Sequence, residues 1–276
     1  WNSLEGLDDG SAPADTAHSR RRRAAWSVLA AVGVLAICVS GQRAMLWWPV
    51  LLLGGLALTW AYAPRLLPPG TWRGRPGLPS VIATRSLINA GYFGVEAYVP
   101  LSLVVHRDLS ATQAGMFLTG AAMLWFSGSW MAANLRALDS KPMRVRLGTF
   151  AVLVGLTSPF MTLGQTVPTP VVAVIWSISG LGMGMATSTL GVLLLDLSAA
   201  DQQGANSAAM QISDSIAESL ALAIGAVTFA ILLTVDSTAA YVVVFGLSVV
   251  FLTGALALTG RLEPAVGSTQ AVQTTT

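Results

Sequence analysis

Residues 81–105 read VIATRSLINAGYFGVEAYVPLSLVV, a stretch that is apolar apart from a few scattered polar positions. A helix that crosses a bilayer needs about 20 mostly apolar residues, so the stretch predicts a membrane-spanning helix. Two of its residues, Arg85 and Glu96, are ionisable, and a charged side chain at the centre of a bilayer costs about 2.5 to 3.5 kcal/mol on insertion scales. Because such residues normally face protein rather than lipid, we expect this helix to lie inside a bundle of membrane helices.

The composition of the whole chain agrees with a membrane protein. Only 10% of its 276 residues are charged and 54% are hydrophobic, whereas soluble domains carry about 25% charged residues. Eight apolar runs predict an all-α integral membrane protein, at residues 24–41, 45–63, 81–105, 112–134, 147–165, 170–196, 207–234 and 238–260. The first run is short, and a helix that lies on the membrane surface is its alternative interpretation.

The basic residues predict the orientation of these helices. With residues 1–23 in the cytoplasm, twelve Lys and Arg residues fall in cytoplasmic segments, and only Arg43 and Arg107 fall in external loops. Cytoplasmic loops of membrane proteins are rich in Lys and Arg, so both chain ends are predicted to be cytoplasmic. The predicted layout is a basic-ended loop (1–23), two membrane helices (24–63), a cytoplasmic loop (64–80), a six-helix transmembrane bundle (81–260) and a disordered tail (261–276).

The polar residues of the third run share one helix face. Arg85, Asn89, Tyr92 and Glu96 are spaced i, i+4, i+7 and i+11, which is close to three helical turns. We expect this face to point away from lipid. Pro100 follows shortly after and is predicted to break or bend the helix, because proline removes a backbone hydrogen bond.

The seventh run carries a second polar face, with Gln211, Asp214 and Glu218 on it. Asp214 and Glu218 are one turn apart, and two carboxylates this close in a low dielectric favour proton uptake by one of them. We therefore expect proton coupling at these two residues and at Glu96. The alternative is structural: each carboxylate would hold helices together, and Arg85 would form an ion pair with Asp214.

The sixth run contains the glycine-rich segment SGLGMGMATSTLG at residues 179–191. Gly180 and Gly184 form a G-x-x-x-G pair, which allows two membrane helices to approach closely. Packing is the interpretation that we favour here over a role in gating.

Several classes of function are disfavoured. Cys38 is the single cysteine, and His18 and His106 lie outside the predicted spans, so neither a metal site nor a cofactor is expected. The basic residues do not gather on one face, so no nucleic-acid partner is expected. Neither H-E-x-x-H nor G-x-S-x-G occurs, so the protein is not expected to be an enzyme. A membrane-embedded enzyme or a membrane scaffold or sensor remain the less favoured alternatives.

Three segments together resemble the major facilitator superfamily, over about residues 65–262. They are RPGLPSVIATRSLINAGYFGVEAYVPLSL (75–103), LSATQAGMFLTGAAMLWFSGSW (109–130) and WSISGLGMGMATSTLGVLLLDLSAADQQGANSAAMQISDSIAESLALAIG (176–225). The resemblance is closest to bacterial drug:proton antiporters of an actinobacterial type. The positions that carry it are Arg85, Gly94, Glu96, Pro100, Leu101, Ala114 and Gly115.

This resemblance implies a secondary transporter in the bacterial plasma membrane that exports small amphipathic molecules or drugs in exchange for protons. The six predicted helices of 81–260 would form the C-terminal bundle, which rocks against an N-terminal bundle around a site near the midplane. That N-terminal half would be the missing partner of this chain. Import by proton symport within the same fold is the alternative. The implied cavity residues are Arg85, Asn89, Tyr92, Gln211 and Trp176.

The sequence also departs from the family pattern. The family has a gate motif in a cytoplasmic loop, and the corresponding loop here keeps Arg136, Asp139 and Arg144 without the usual spacing. A gate at this loop and a simple positive cytoplasmic loop are both open interpretations. The first two predicted helices lack the Gly-Pro pair of the antiporter motif, so they resemble the two extra central helices of fourteen-span exporters.

Overall fold

The computed structural model describes residues 17–40, 47–134 and 140–263, and in these ranges the chain is helical with no β-strand. The ten α-helices are α1 (Ala17–Ser40), α2 (Trp48–Leu66), α3 (Leu78–Glu96), α4 (Val99–Arg107), α5 (Ala111–Asn134), α6 (Lys141–Gly155), α7 (Thr157–Thr162), α8 (Thr169–Asp196), α9 (Gln203–Leu232) and α10 (Ser237–Leu258). Short 3-10 turns at Thr71–Arg73 and Thr259–Arg261 precede α3 and follow α10.

Five helical segments within the described ranges are long and apolar enough to cross a membrane. They are Leu78–Arg107, Lys141–Thr162, Thr169–Asp196, Gln203–Leu232 and Ser237–Arg261. The predicted all-α membrane class is therefore confirmed. Each of the other three predicted runs is also helical, in α1, α2 and α5. The apolar part of α1 is short and spans only Ala25–Ser40.

Two helices organise the packing. The helix α8 lies between α5 and α6, and α3 lies among α8, α9 and α10. Most of α3 is buried, as expected for a helix that carries ionisable residues. The helices α1 and α2 pair with each other and contact the rest of the chain mainly through α9.

Glycines allow the close contacts of α8. A Cβ atom at Gly180 would overlap the Ala121 carbonyl, and one at Gly184 would overlap the Trp125 carbonyl, both on α5. Gly182 faces α6 in the same way, where it meets Gly148. The close helix approach predicted from the G-x-x-x-G pair is therefore present, because the backbone of α8 touches that of α5 on one side and that of α6 on the other.

The third predicted span is interrupted where proline predicted a break. The helix α3 ends at Glu96, and α4 begins at Val99 with Pro100 in its first turn. Proline is tolerated there because the first backbone N–H groups of a helix have no partner within the helix. Glu96 thus occupies the last position of a helix rather than its middle.

Some helix boundaries differ from the prediction. The arginine run that ends the predicted loop 1–23 lies on α1, which begins at Ala17, and arginine is a good helix former. The predicted span 147–165 begins earlier, at Lys141, and is divided at Leu156. His106, expected outside the spans, lies in the last turn of α4. The predicted tail 261–276 falls largely outside the described residues.

Arg107 connects two parts of the chain at the end of the bundle that has few basic residues. Its guanidinium donates hydrogen bonds to the carbonyl groups of Thr162 and Val167, at 3.2 and 2.6 Å, and to that of Met161. These carbonyls lie at the end of α7 and in the loop before α8, where helix termini leave acceptors without partners. One arginine therefore ties α4 to the α7–α8 connection.

Candidate functional site

An ion pair joins the two helices that carry the polar faces. The Arg85 Nε atom of α3 lies 2.8 Å from the Asp214 Oδ2 atom of α9. The side chain of Asp214 is 5% exposed and that of Arg85 is 20% exposed. Arg85 also donates from Nη1 to the Thr187 carbonyl of α8 at 3.3 Å. The arginine therefore connects all three helices at one point.

Two serines complete the shell of this ion pair. The Ser86 hydroxyl lies 3.2 Å from the Asp214 Oδ1 atom and 2.7 Å from the Ser213 hydroxyl. Both oxygens of the Asp214 carboxylate thus have partners. Neither serine was among the site residues predicted from the sequence. Their positions in the chain could have indicated them, because Ser86 directly follows Arg85 and Ser213 directly precedes Asp214.

Glu218 lies one turn beyond Asp214 on α9 and is partly exposed. Its carboxylate interacts electrostatically with Asp214 and with Arg85. No hydrogen bond or ion pair reaches it from another residue of the described ranges. The positive charge of Arg85 therefore acts on two carboxylates. It forms an ion pair with Asp214, and it attracts Glu218 without a direct contact.

Glu96 has a different environment. The Tyr92 hydroxyl, one turn earlier on α3, donates a hydrogen bond to its Oε1 atom at 3.2 Å. No cation lies within ion-pair distance of Glu96 in the part of the chain that the structure describes. Glu96 is therefore a second carboxylate without a counter-charge.

An aromatic cluster surrounds Tyr92. Its ring stacks on Trp176 of α8, with centroids 5.5 Å apart, and meets Trp125 of α5 edge to face at 5.8 Å. Trp176 is fully buried, and its indole N–H has no hydrogen-bond acceptor among the described residues. Two predicted cavity residues, Tyr92 and Trp176, are thus packed in the core in this conformation. Trp125 was not selected from the sequence, because a tryptophan in an apolar run does not show which helix it faces.

The remaining two predicted cavity residues, Asn89 and Gln211, lie in different environments. Asn89 is 6% exposed, and its side chain makes no hydrogen bond within the described ranges. Gln211 is exposed and lines a cavity of about 460 Å³ between α1 and α9, together with Ser215, Ser219 and Cys38. Gln211 lies seven residues before Glu218 and so on nearly the same helix face, whereas Ser215 and Ser219 lie on the adjacent face, because successive helical positions are about 100° apart.

Part of the predicted gate loop can be located. Arg136 and Asp139 lie outside the described residues. Arg144 of α6 donates from Nη1 to the Ala132 carbonyl at 2.8 Å and so ties α6 to the end of α5. Lys141 forms an ion pair with Asp196 at the end of α8, and both side chains are partly exposed. Asp196 is the last residue of α8, so this pair lies at the helix end.

Within the described ranges, no group of three or more His, Cys, Asp or Glu side chains could hold a metal ion. The fold and this buried polar cluster define an all-α membrane protein with ionisable groups between its helices. No protein-family model matches the chain, and no curated protein matches its sequence significantly.

Proposed function

We propose that this chain is part of a proton-coupled secondary transporter of the major facilitator type, which exports small amphipathic molecules or drugs from a bacterial cell. The observation that carries the proposal is an imbalance of charge between α3 and α9. The two helices carry three carboxylates, at Glu96, Asp214 and Glu218, and one arginine, which forms an ion pair with Asp214 alone.

The unpaired carboxylates are suited to carry protons. A charge that is buried without a partner in a membrane is unfavourable, and taking up a proton removes this penalty. Glu96 also ends α3, and the partial negative charge of a helix C-terminus further disfavours an ionised acid. Both residues can therefore alternate between a neutral form in a closed state and an ionised form in a state open to water.

Asp214 has a different role in this proposal. Its two oxygens accept hydrogen bonds from Arg85 and Ser86, so its charge is compensated in the present conformation. We infer that the ion pair holds α3 and α9 together and that Glu218 exchanges the proton nearby. The hydroxyl of Tyr92 positions the Glu96 carboxylate at the break between α3 and α4.

The test is proton-driven transport by the protein at its natural length, reconstituted in vesicles with a fluorescent amphipathic dye. We expect a pH gradient to drive dye against its own gradient, and Glu218→Gln or Glu96→Gln to abolish this coupling while downhill movement continues. Asp236→Asn is the matched control, because it also turns a carboxylate into an amide but lies at the exposed start of α10.

Two outcomes would contradict the proposal. Undiminished coupling in both glutamate variants would assign these residues a structural role. Absence of proton-dependent flux for a broad panel of dyes and metabolites would reject transport. Accumulation in the direction of the proton gradient, rather than against it, would instead favour the symport alternative.

A further inference from the structure

A second cavity lies on the outside of the bundle, and its inner wall includes Ser86 and Ser213, the two serines beside the ion pair. It has a volume of about 400 Å³ and runs between α3, α9 and α10. The segment 67–74, which connects α2 to α3, covers one end of it. Its walls are formed mostly by aliphatic side chains, among them Leu87, Ile216, Leu220, Ile224 and Leu258. We call this cavity the outer groove.

The interior of the outer groove offers no unsatisfied polar group for a polar ligand. The hydroxyls of Ser86 and Ser213 lie 2.7 Å apart and bond to each other. The Thr71 hydroxyl donates to the Pro68 carbonyl at 2.7 Å. The occupant that these walls favour is therefore a hydrocarbon chain. Ile224 is 40% exposed, so the groove is open to the surface that faces the bilayer in a membrane helix bundle.

The covered end of the outer groove is basic. Arg73 lines this end, and Arg75 follows two residues later, exposed. The segment 64–80 that leads into α3 has three arginines, Arg65, Arg73 and Arg75, and not one Asp or Glu. A positive surface without compensating acids attracts anionic headgroups, at about 1 kcal/mol per basic residue near the membrane.

Aromatic residues mark the same end as a membrane interface. Trp72 lines the outer groove, is 53% exposed, and contacts Trp60 of α2 with ring centroids 5.8 Å apart. Tryptophan is enriched where the hydrocarbon core meets the headgroups. The groove thus has an apolar body in the hydrocarbon region and a basic, aromatic end at headgroup depth.

Hydrogen bonds fix the backbone of the segment that carries Arg73 and Arg75. The Gly77 N–H and the Ser80 hydroxyl both donate to the Arg261 carbonyl, at 3.0 and 2.6 Å. Arg261 in turn donates from Nη1 to the Gly74 carbonyl at 3.4 Å. Gly74 has φ +53°, and a Cβ there would lie 2.6 Å from Leu258. The backbone of the connecting segment is therefore fixed against α10 next to the groove.

We propose that the outer groove is a binding site for an anionic glycerophospholipid, with an acyl chain along α9 and the phosphate at Arg73 and Arg75. From Ser213 to Ile224 the groove follows α9 for about 16 Å, at 1.5 Å per residue. The positive-inside rule assigns this basic end to the cytoplasmic leaflet. The proposal does not depend on the proposed transport function. It also gives the lipid direct contact with Ser86, which bonds to Asp214.

The experiment is native mass spectrometry of the purified protein, after equilibration in mixed vesicles of equal parts phosphatidylglycerol and phosphatidylethanolamine. Wild type is expected to retain one phosphatidylglycerol in preference to phosphatidylethanolamine. Arg73→Gln and Arg75→Gln are each expected to lower that preference about fivefold, the equivalent of one basic side chain at a membrane surface. Arg146→Gln is the matched control, because Arg146 is an exposed arginine at the same end of the bundle but outside the groove.

A second variant tests the apolar body. Ala217→Phe places a ring into the outer groove and is expected to reduce the retention of both lipids, with the two arginines intact. Equal retention of the two lipids by wild type would overturn the proposal, and so would an Arg146→Gln effect as large as that of Arg73→Gln. Competition by the transported dye for the retained lipid would show that the groove belongs to the transport path instead.

Discussion

Replacing Asp214 by Asn isolates the contribution of the ion pair between α3 and α9. The substitution keeps the shape of the side chain but removes the ion-pair partner of Arg85, which then has only the partly exposed carboxylate of Glu218 nearby. The Arg85 side chain is 20% exposed, so water replaces little of the lost interaction. A buried pair that loses one partner is destabilised by about 3 to 5 kcal/mol, and a charged residue at the membrane centre costs about 2.5 to 3.5 kcal/mol. We expect Asp214→Asn to lower the free energy of unfolding by about 3 kcal/mol.

Arg85→Gln should lower the free energy of unfolding by less than Asp214→Asn does. Arg85→Gln leaves Asp214 unpaired, but an aspartate can take up a proton and become neutral, whereas an arginine cannot release one. The double variant Arg85→Gln/Asp214→Asn removes both charges and keeps two amides that can bond to each other. Its unfolding free energy should therefore lie closer to wild type than that of Asp214→Asn.

The assay is reversible unfolding in mixed micelles with increasing dodecyl sulfate, followed by tryptophan fluorescence. The four proteins form a double-mutant cycle, which measures the coupling between the two residues. A loss below about 1 kcal/mol for Asp214→Asn, the range of an exposed pair, would refute the reasoning. Strictly additive effects of the two substitutions would refute it equally.

Three further predictions use the same stability measurement. Gly184→Ala should destabilise by about 1 to 3 kcal/mol, because its methyl group meets the α5 backbone, while Gly246→Ala, with open space around it, should be neutral or slightly stabilising; similar effects at both positions would contradict the packing. Lys141→Met should cost no more than about 1 kcal/mol, because its pair with Asp196 is partly exposed, and a larger loss would show a buried network. Asp236→Ala should cost about 1 kcal/mol, because its carboxylate accepts the Thr238 and Ala239 N–H groups at the start of α10, whereas Asp236→Asn should preserve the cap; equal losses for the two substitutions would exclude capping as the cause.

Much of the helical layout could be predicted from the sequence, since continuous apolar runs and one proline carry it. The break before Pro100 follows from the missing N–H of proline, which is a local property. The division at Leu156 has the same cause, because α6 ends at Gly155, four residues before Pro159, but the sequence prediction did not use this proline. The helical start of α1 was missed because a run of arginines was assigned to a loop by its charge, although arginine favours helix.

The candidate site was predictable only in part. Helical spacing assigns Arg85 and Glu96 to one face and Asp214 and Glu218 to another, since spacing depends on the chain alone. It does not determine which residue of α9 lies opposite Arg85, because that depends on the relative shift of two helices. The ion pair was thus an open alternative, and the carboxylates without a counter-charge emerged only from the three-dimensional arrangement.

The bonds from Gly77 and Ser80 to the Arg261 carbonyl bring the two ends of the six-helix bundle together. A polypeptide whose ends meet can be circularly permuted, since a short peptide can join them while the chain is opened elsewhere. Opening the α5–α6 connection would then make α6 the first helix and α5 the last, with every helix contact available to the rearranged chain. The order in which the helices enter the membrane would change while their final arrangement stayed the same. The effect of insertion order on folding could then be measured with the final structure unchanged.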